Sequence, residues 1–157
     1  MRLDTLIPEH FEALFEIHKR AEAFAELVAF DSFSNLMKTR EGFVVVRDDG
    51  KLAGAITFSD YNPGNDIVIH CFMDPDFHGR WASKKLYKEG FDFPFEYLKV
   101  RRISGFCVVG KSDKAGRFLE ILGFKKEGTI RQKVKDPADG ALYDVNIYGM
   151  LKEERRW

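Results

Sequence analysis

Cysteine, net charge and long apolar runs are all scarce in this 157-residue sequence. Two cysteines, Cys71 and Cys107, are too few for a disulfide-stapled fold and show no metal-ligand spacing. The 25 basic and 25 acidic residues cancel, which argues against nucleic-acid binding, because that requires a positive surface. No apolar run reaches the ~18 residues of a membrane span, and the N-terminus lacks a signal-type apolar block. We therefore expect a cytoplasmic protein with two buried free thiols and no metal, nucleic-acid or membrane partner.

The length suits a single domain over residues 1–157. Alternation predicts a short strand at 2–7, and apolar spacing predicts helices from Pro8 and over about 26–37. Two strand-like runs flank Asp49-Gly50, which is a strong hairpin signal. The segment 66–73 is apolar almost throughout, which indicates a central strand.

The second half of the chain alternates strands and helices. A helix after residue 83 should kink between Gly90 and Pro94, because proline removes a backbone donor. A strand follows at 101–109, and then a helix that Ser112 can cap and Gly123 ends. On that helix, four residues are expected to face one way: Ala115, Phe118, Leu119 and Leu122. Two strands, at about 124–134 and 141–150, complete the chain, and the mixed order predicts a mixed sheet with helices on its faces.

Four segments carry a resemblance that covers almost the whole chain: MDPDFHGR, YLKVRRISGFCV, SDKAGRFLEILGFKKEG and DGALYDVNIYGMLKEE. They resemble the GNAT superfamily of acyl-CoA-dependent N-acetyltransferases, and within it the ribosomal-protein N-terminal-amine acetyltransferase branch. The resemblance implies an α/β fold of mixed α+β type. Its central sheet would be mostly antiparallel, with about seven strands, a splayed parallel pair and about four flanking helices.

The resemblance also implies acetyl-CoA as cosubstrate. Phe72 and Met73 would contact the pantetheine arm at the end of the central strand. The turn and helix start that follow would cradle the pyrophosphate with backbone N–H groups, as helix N-termini do; that cradle comprises His78, Gly79, Arg80, Trp81, Ala82 and Ser83. Trp81 and Ser83 stand where the family has glycine, so the cradle would work with Trp81 turned aside.

The implied reaction is direct attack of a neutral amine on the acetyl thioester, which needs a base and donors for the carbonyl oxygen. His70, on the central strand, is the first candidate base, and Asp66 is the weaker alternative. Ser112 is a candidate for contacting the cofactor or assisting the leaving thiol, although capping alone also explains it. Leu119 stands where many relatives have a thiolate-protonating tyrosine. Tyr143 and Tyr148 are candidates for lining the acceptor cleft or simply for packing.

The acceptor would be a protein N-terminal α-amine or a small amine, bound by a monomer or homodimer. Four acids on the first helices would attract a cationic acceptor, unless they form only a solvated face: Glu12, Glu16, Glu22 and Glu26. The alternative is a non-catalytic structural or protein-interaction domain with a degenerate cofactor loop. An enzyme requires an open V-shaped gap between the strands at 66–73 and 101–109, whereas such a module can have it closed.

Overall fold

Seven strands form one mixed sheet in the computed structural model, which describes residues 1–21, 29–77 and 83–157. The sheet order is β1-β2-β3-β4-β5-β7-β6, and every neighbouring pair is antiparallel except β4 and β5. The strands are β1 (Arg2–Thr5), β2 (Glu41–Val46), β3 (Leu52–Asn62), β4 (Asp66–Met73), β5 (Arg102–Val108), β6 (Lys125–Lys135) and β7 (Leu142–Leu151). The α-helices of the described residues are α1 (Phe11–Arg20), α2 (Phe30–Met37), α3 (Lys84–Asp92) and α4 (Asp113–Leu122). This architecture confirms the predicted fold class.

Local sequence signals account for most element boundaries. Gly50 takes a left-handed φ of 82° in the β2–β3 hairpin, and Gly123 ends α4 with φ 110°. The irregularity expected around Pro94 is a π-helical turn over Phe93–Tyr97, which continues α3. The second predicted helix starts at Phe30, and its proposed first residues, 26–28, lie outside the described part of the chain.

The sheet carries a separate apolar core on each face. On one face, α1 and α2 pack on β2 and β3 through residues such as Leu14, Phe33 and Val44. On the other face, α3 and α4 pack on β4, β5 and β7, with Phe91 and Leu122 among the buried residues. Because side chains alternate along a strand, each strand residue can be assigned to the α1/α2 face or to the α3/α4 face.

Three local predictions are wrong. Ser112 precedes α4, but its hydroxyl donates to the carbonyl of Val108 (3.1 Å) and accepts no backbone N–H of the helix. Ala115 is exposed, and Gly116 takes the buried position, because helical phase places residues 116, 119 and 122 against the sheet. Cys71 is exposed, since β5 diverges from β4 beside it, while Cys107 is buried and free as expected.

The charged C-terminal segment docks on the end of α3. Asp92 accepts hydrogen bonds from the Arg155 guanidinium (2.6 Å) and the Trp157 indole (3.0 Å). The Trp157 ring also packs against Phe91, with 5.7 Å between ring centroids. The segment therefore closes the α3 side of the core. No helix in the described ranges is long and apolar enough to cross a membrane.

The contact between α4 and β7 generates a stability prediction. A Cβ added at Gly116 would lie 2.6 Å from the Tyr148 hydroxyl, well inside van der Waals contact. Gly116→Ala should therefore lower the free energy of unfolding by about 1–3 kcal/mol, despite the better helix propensity of alanine. Urea denaturation measures this. In a Tyr148→Phe background most of the loss should disappear, and an equal loss in both backgrounds would contradict the proposed clash.

Candidate functional site

The two parallel strands at the centre of the sheet pair only at their N-terminal ends. The paired residues are Asp66 with Arg102, Ile67 with Ile103, and Val68 with Ser104. Beyond Val68, β4 stays with β3 and β5 stays with β7, so the strands separate into a V-shaped gap. Cys71 on β4 and Phe106 on β5, which is 50% exposed, flank this gap. The gap that an enzyme requires is therefore present.

Backbone alternation determines which groups of β4 face the gap. The Asp74 N–H donates to the carbonyl of Ala53 on β3. Backbone groups of successive strand residues point in opposite directions, so Phe72 and His70, two and four residues before Asp74, also direct theirs to β3. Cys71 and Met73 direct theirs to the gap side. Of the two predicted pantetheine contacts, Met73 is thus placed for backbone contact, whereas Phe72 has only its side chain to offer. Cys71 is a third gap-facing residue that sequence reasoning missed.

The predicted pyrophosphate cradle is described only at its end. His78, Gly79, Arg80, Trp81 and Ala82 lie outside the described residues. Ser83 is the N-cap of α3, and its hydroxyl oxygen accepts the N–H of Leu86 at 3.2 Å. The N-terminus of α3 therefore follows the gap-lining end of β4 and offers backbone donors to an anion.

A row of three residues crosses the α1/α2 face beside the gap. Gly42, Thr57 and His70 are register partners on β2, β3 and β4. The β3 backbone lies close to Gly42, and a Cβ there would clash with the carbonyl oxygen of Ile56. Phe72 extends this face toward the end of β4. The row places His70 between a fully buried hydroxyl and the open gap.

His70 is held by a two-step hydrogen-bond relay. Its Nε2 lies 2.8 Å from the Ser59 hydroxyl, which lies 2.7 Å from a carboxylate oxygen of Asp60. Because a carboxylate only accepts, the Ser59 proton is donated to Asp60, and Nε2–H of His70 donates to Ser59. The lone pair is therefore on Nδ1, to which no described residue hydrogen-bonds. The relay thus orients the Nδ1 lone pair of His70 on the α1/α2 side of the sheet.

Burial and a nearby cation keep His70 neutral. Burial, followed by the positive charge of Arg40, lowers the pKa of His70 to about 4, while Asp60 opposes this shift. The pKa of His18 is lowered by the same two causes. At neutral pH both imidazoles are therefore uncharged, and Arg40, whose guanidinium stays protonated, is the cation that acts on both.

Polar atoms without partners concentrate on this face. His18 Nε2, Arg40 Nε and Thr57 Oγ1 are buried and have no hydrogen-bond partner among the described residues. The His18 ring packs 5.6 Å from the ring of Phe72, measured between centroids. An unsatisfied buried polar group costs about 1–3 kcal/mol, and such groups gather where a ligand completes the bonding.

The gap side of β5 holds the second predicted catalytic residue. The Ser112 hydroxyl donates to the carbonyl of Val108, and burial raises the pKa of the Cys107 thiol to about 11. Tyr148 packs in the core of the α3/α4 face, and the Tyr143 hydroxyl donates to Asp139 near the β6–β7 connection. Neither tyrosine therefore joins His70 on the α1/α2 side of the sheet.

Other candidates have structural surroundings. Asp66 accepts from the Ser104 hydroxyl at 2.8 Å at the paired end of the strands, away from the gap, and so stabilises the pairing. Leu119 is buried against Gly105 on β5. The Cys71 side chain is accessible to solvent at the gap. A surface depression near Asn65 and Arg101 lies at the paired end and not at the gap.

Sequence reasoning identified His70 but missed most of its surroundings. Ser59 and Asp60 lie within β3 and belong to no motif, and Arg40 lies in the connection between α2 and β2. The alternation of Thr57 and Ser59 in ITFSD was the one available signal, since it placed two hydroxyls on the same strand face. Which strand they would face could not be read from the sequence.

Comparison with known proteins gives one family and one group of structural neighbours. The acetyltransferase (GNAT) family model matches residues 4–124. A point mutant of the spermidine N-acetyltransferase SpeG from Vibrio cholerae superposes with TM-score 0.79 at 20% identity, covering 97% of this chain and 94% of that one. The spermidine/spermine N-acetyltransferase SpeG from the same organism, solved with manganese ions, gives TM-score 0.75 at 20% identity, covering 96% and 91%. Among curated proteins, none matches the sequence.

The surroundings of His70 predict its titration. Its imidazole should remain neutral on lowering the pH from 7 and take up a proton only near pH 4. An ordinary histidine has a pKa near 6.5, so the unfolded chain binds more protons between these values, and this residue makes the fold less stable as the pH falls from 6.5 to 4. Arg40→Gln should raise the pKa of His70, as measured by NMR titration of the imidazole. A pKa near 6.5 in the unsubstituted protein would contradict the described burial.

Proposed function

Because the chain belongs to the acetyltransferase (GNAT) family, we propose that it acetylates a primary amine at the gap between β4 and β5, with His70 as base. Acetyl-CoA-dependent N-acetyl transfer is the activity of the family. The observation that carries the proposal is the oriented, neutral imidazole of His70 beside an open gap. The residue roles below are part of the proposal.

The described residues fit acetyl-CoA. The backbone of Cys71 and Met73 would pair with the pantetheine arm, since β5 leaves that side of β4 after Val68. Ser83 and the first N–H groups of α3 would contact the pyrophosphate, together with the predicted residues 78–82. Acetyl-CoA supplies the acetyl group as a thioester. The α3/α4 face is then the cofactor side, and the α1/α2 face is left for the acceptor.

His70 would take the proton that the amine loses as it attacks. Its Nδ1 holds the lone pair, and the Ser59–Asp60 relay fixes this tautomer. The Cys71 N–H faces the gap and would donate to the carbonyl oxygen as negative charge develops there. An ion pair between Arg20 and Asp74 (2.6 Å) ties α1 to the end of β4, and so holds the acceptor wall against the strand that carries the base.

Ser112 would assist the leaving thiol from the β5 side. Its hydroxyl already donates to Val108, so it would have to turn toward the sulfur to protonate it. Leu119 is buried and offers no proton, and this leaves Ser112 as the hydroxyl proposed for that role. Ser112→Ala tests it: a lower kcat with unchanged acetyl-CoA binding would support the role.

The V-shaped gap favours an enzyme over a non-catalytic module, because a module has no need of an open cofactor edge. The acceptor is proposed to be either a protein N-terminal α-amine, as the ribosomal-protein branch resemblance suggests, or a small amine. The spermidine N-acetyltransferases among the structural neighbours are small-amine enzymes by name. Two free cysteines support the further proposal of a reducing cytoplasmic setting.

Acetyl-CoA binding at the gap predicts a thermal shift. At about 100 times its dissociation constant, the cosubstrate should stabilise the protein by about 2.7 kcal/mol and raise Tm by several degrees. Cys71→Trp should abolish the shift, because a bulky side chain would fill the gap where the exposed thiol lies. Cys71→Ser is the matched control and should retain the shift. Full retention in Cys71→Trp would place the cofactor elsewhere.

The proposed base and its relay predict graded kinetic losses. His70→Gln should lower kcat by about 10²–10⁴-fold, the usual contribution of a general base. Ser59→Ala and Asp60→Asn act through the tautomer of His70, so they should lower kcat less and move the pH–rate profile. Glu89→Gln, an exposed acid on α3, is the control.

Steady-state kinetics with an accepted amine measures these effects, and the acetyl-CoA thermal shift checks that each variant still folds and binds. If His70→Gln keeps kcat within about threefold of the unsubstituted enzyme, His70 is not the base. If His70→Gln lowers kcat as expected but Ser59→Ala and Asp60→Asn do not shift the pH–rate profile, the Ser59–Asp60 relay has a structural role and does not set the tautomer of His70.

A further inference from the structure

We propose that the acceptor is an amine that also carries an anionic group, carboxylate or phosphate, which binds to the guanidinium of Arg40 on the α1/α2 face. This inference rests on the proposed function, because it assigns the substrate class of the same site. It would separate this chain from enzymes whose acceptors are polycations.

The position of Arg40 places its charge beside the proposed base. It immediately precedes β2, and its N–H donates to Met37 at the end of α2. Extending the β2–β3 register by one residue sets it opposite Ser59, on the face that Gly42 and Val44 share. It is half-buried, and its Nε has no partner.

The unsatisfied atoms around Arg40 form one set. Thr57 is fully buried, and its hydroxyl has no hydrogen-bond partner. His18 Nε2 is likewise buried and unpartnered, and its ring packs against Phe33 and Phe72. A cation with two unpartnered polar neighbours and aromatic walls suits the anionic end of a small molecule, since guanidinium binds carboxylate and phosphate with paired N–H groups.

The charges facing the site do not suit a polycation. Among the described residues, Asp60 is the acid whose charge acts on Arg40, and it already accepts from Ser59. His18 and His70 are neutral at pH 7. Glu12 and Glu16, once candidates for attracting a cation, are exposed, while Glu22 and Glu26 lie outside the described residues. Among the described residues, the charges that a substrate would meet here are therefore the Arg40 guanidinium and the Asp60 carboxylate, and Arg40 is the one that leaves a polar atom unpartnered.

Binding an anion at Arg40 would also activate the base. Arg40 is one of the two causes that lower the basicity of His70, and a bound carboxylate or phosphate would offset its charge. His70 would then accept a proton more readily when the correct substrate is present. An uncharged amine would leave the cation uncompensated and the base weaker, so specificity would appear in kcat as well as in KM.

The test compares acceptors with matched amines. Acetyl transfer from acetyl-CoA would be measured with two kinds of matched acceptor pair. The carboxylate pairs are α-amino acids and the corresponding amino acid amides, and the phosphate pair is glucosamine 6-phosphate and glucosamine. Spermidine serves as the polycationic acceptor. We expect at least one anionic acceptor to exceed its uncharged partner by about 10–100-fold in kcat/KM, the ratio expected of one charge-assisted contact. The carboxylate and phosphate arms identify which anion is bound.

Arg40→Gln should remove this preference: kcat/KM should fall for the anionic acceptor, and it should rise for the uncharged partner, because the cation that weakens His70 is gone, until the two acceptors are similar. Arg40→Lys should restore part of it, because the charge returns without the paired N–H groups. Lys38→Gln, an exposed cation two residues away, is the matched control.

Each remaining outcome overturns the inference. If spermidine or the amides are acetylated with the same kcat/KM as the anionic acceptors, Arg40 does not recognise the acceptor. The same conclusion follows if Arg40→Gln lowers kcat/KM equally for all acceptors. Both outcomes leave the proposed function intact. The same holds if acetyl-CoA raises Tm but no anionic amine is acetylated. A protein with no acetyl-CoA shift at all would overturn the proposed function first, and this inference with it.

Discussion

The candidate site depends on a parallel strand pair that stops after three residue pairs. A polar clasp holds those pairs together. Ser104 donates to Asp66, and the backbone N–H groups of Arg101 and Arg102 both donate to the carbonyl of Asn65. Beyond the clasp, each strand keeps its outer partner along its full length, so the sheet behaves as two antiparallel halves joined at one end. The sheet thereby gains an open backbone edge at its centre, in addition to its outer strands β1 and β6.

The separation of the strands has opposite effects on the two faces. On the α3/α4 face it uncovers Cys71, which in a continuous sheet would be core. On the α1/α2 face it leaves His70 between a buried row and the gap. Under the proposed function, acetyl-CoA on the α3/α4 face and the acceptor on the α1/α2 face could meet in the gap without entering either apolar core. The apolar cores on the α1/α2 face and on the α3/α4 face are separate clusters. Each is packed without filling the gap, so the strands can stay apart.

The polar atoms on the acceptor face are best understood as incomplete bonding. Most buried polar groups in folded proteins have hydrogen-bond partners. On this face, His18, Arg40 and Thr57 each leave one polar atom without a partner among the described residues. The free energy that this forgoes is not recovered by any described contact. Under the proposed function, a substrate that supplied the missing partners would recover this free energy.

Local chemistry made much of the fold predictable, and distant pairing limited the rest. The hairpin at Asp49-Gly50, the central strand 66–73 and the disruption at Pro94 each depend on neighbouring residues, and all three are present. Ser112 as a helix cap failed because its φ of −123° and ψ of 33° lie outside the extended conformation in which an N-cap hydroxyl accepts a helix N–H. The relay to Asp60 was not predictable, since it depends on the register of β3 against β4. His70 could be named from its strand and residue type, but not the residues that orient it.

Likeness of fold does not transfer the acceptor. At 20% identity the spermidine N-acetyltransferases share the sheet and its helices with this chain, and the sheet fixes where the amine must arrive. The sheet does not fix the charge that faces the rest of the acceptor molecule. That charge depends on side chains outside the strands, such as Arg40 in the connection between α2 and β2. A cation there repels an acceptor that is itself multiply positive, and water screens this less when the guanidinium is half-buried. Under the proposal, the acceptor class would therefore depend on the charge of Arg40, which lies outside the strands, and a substrate with the opposite charge would bring His70 on β4 into use.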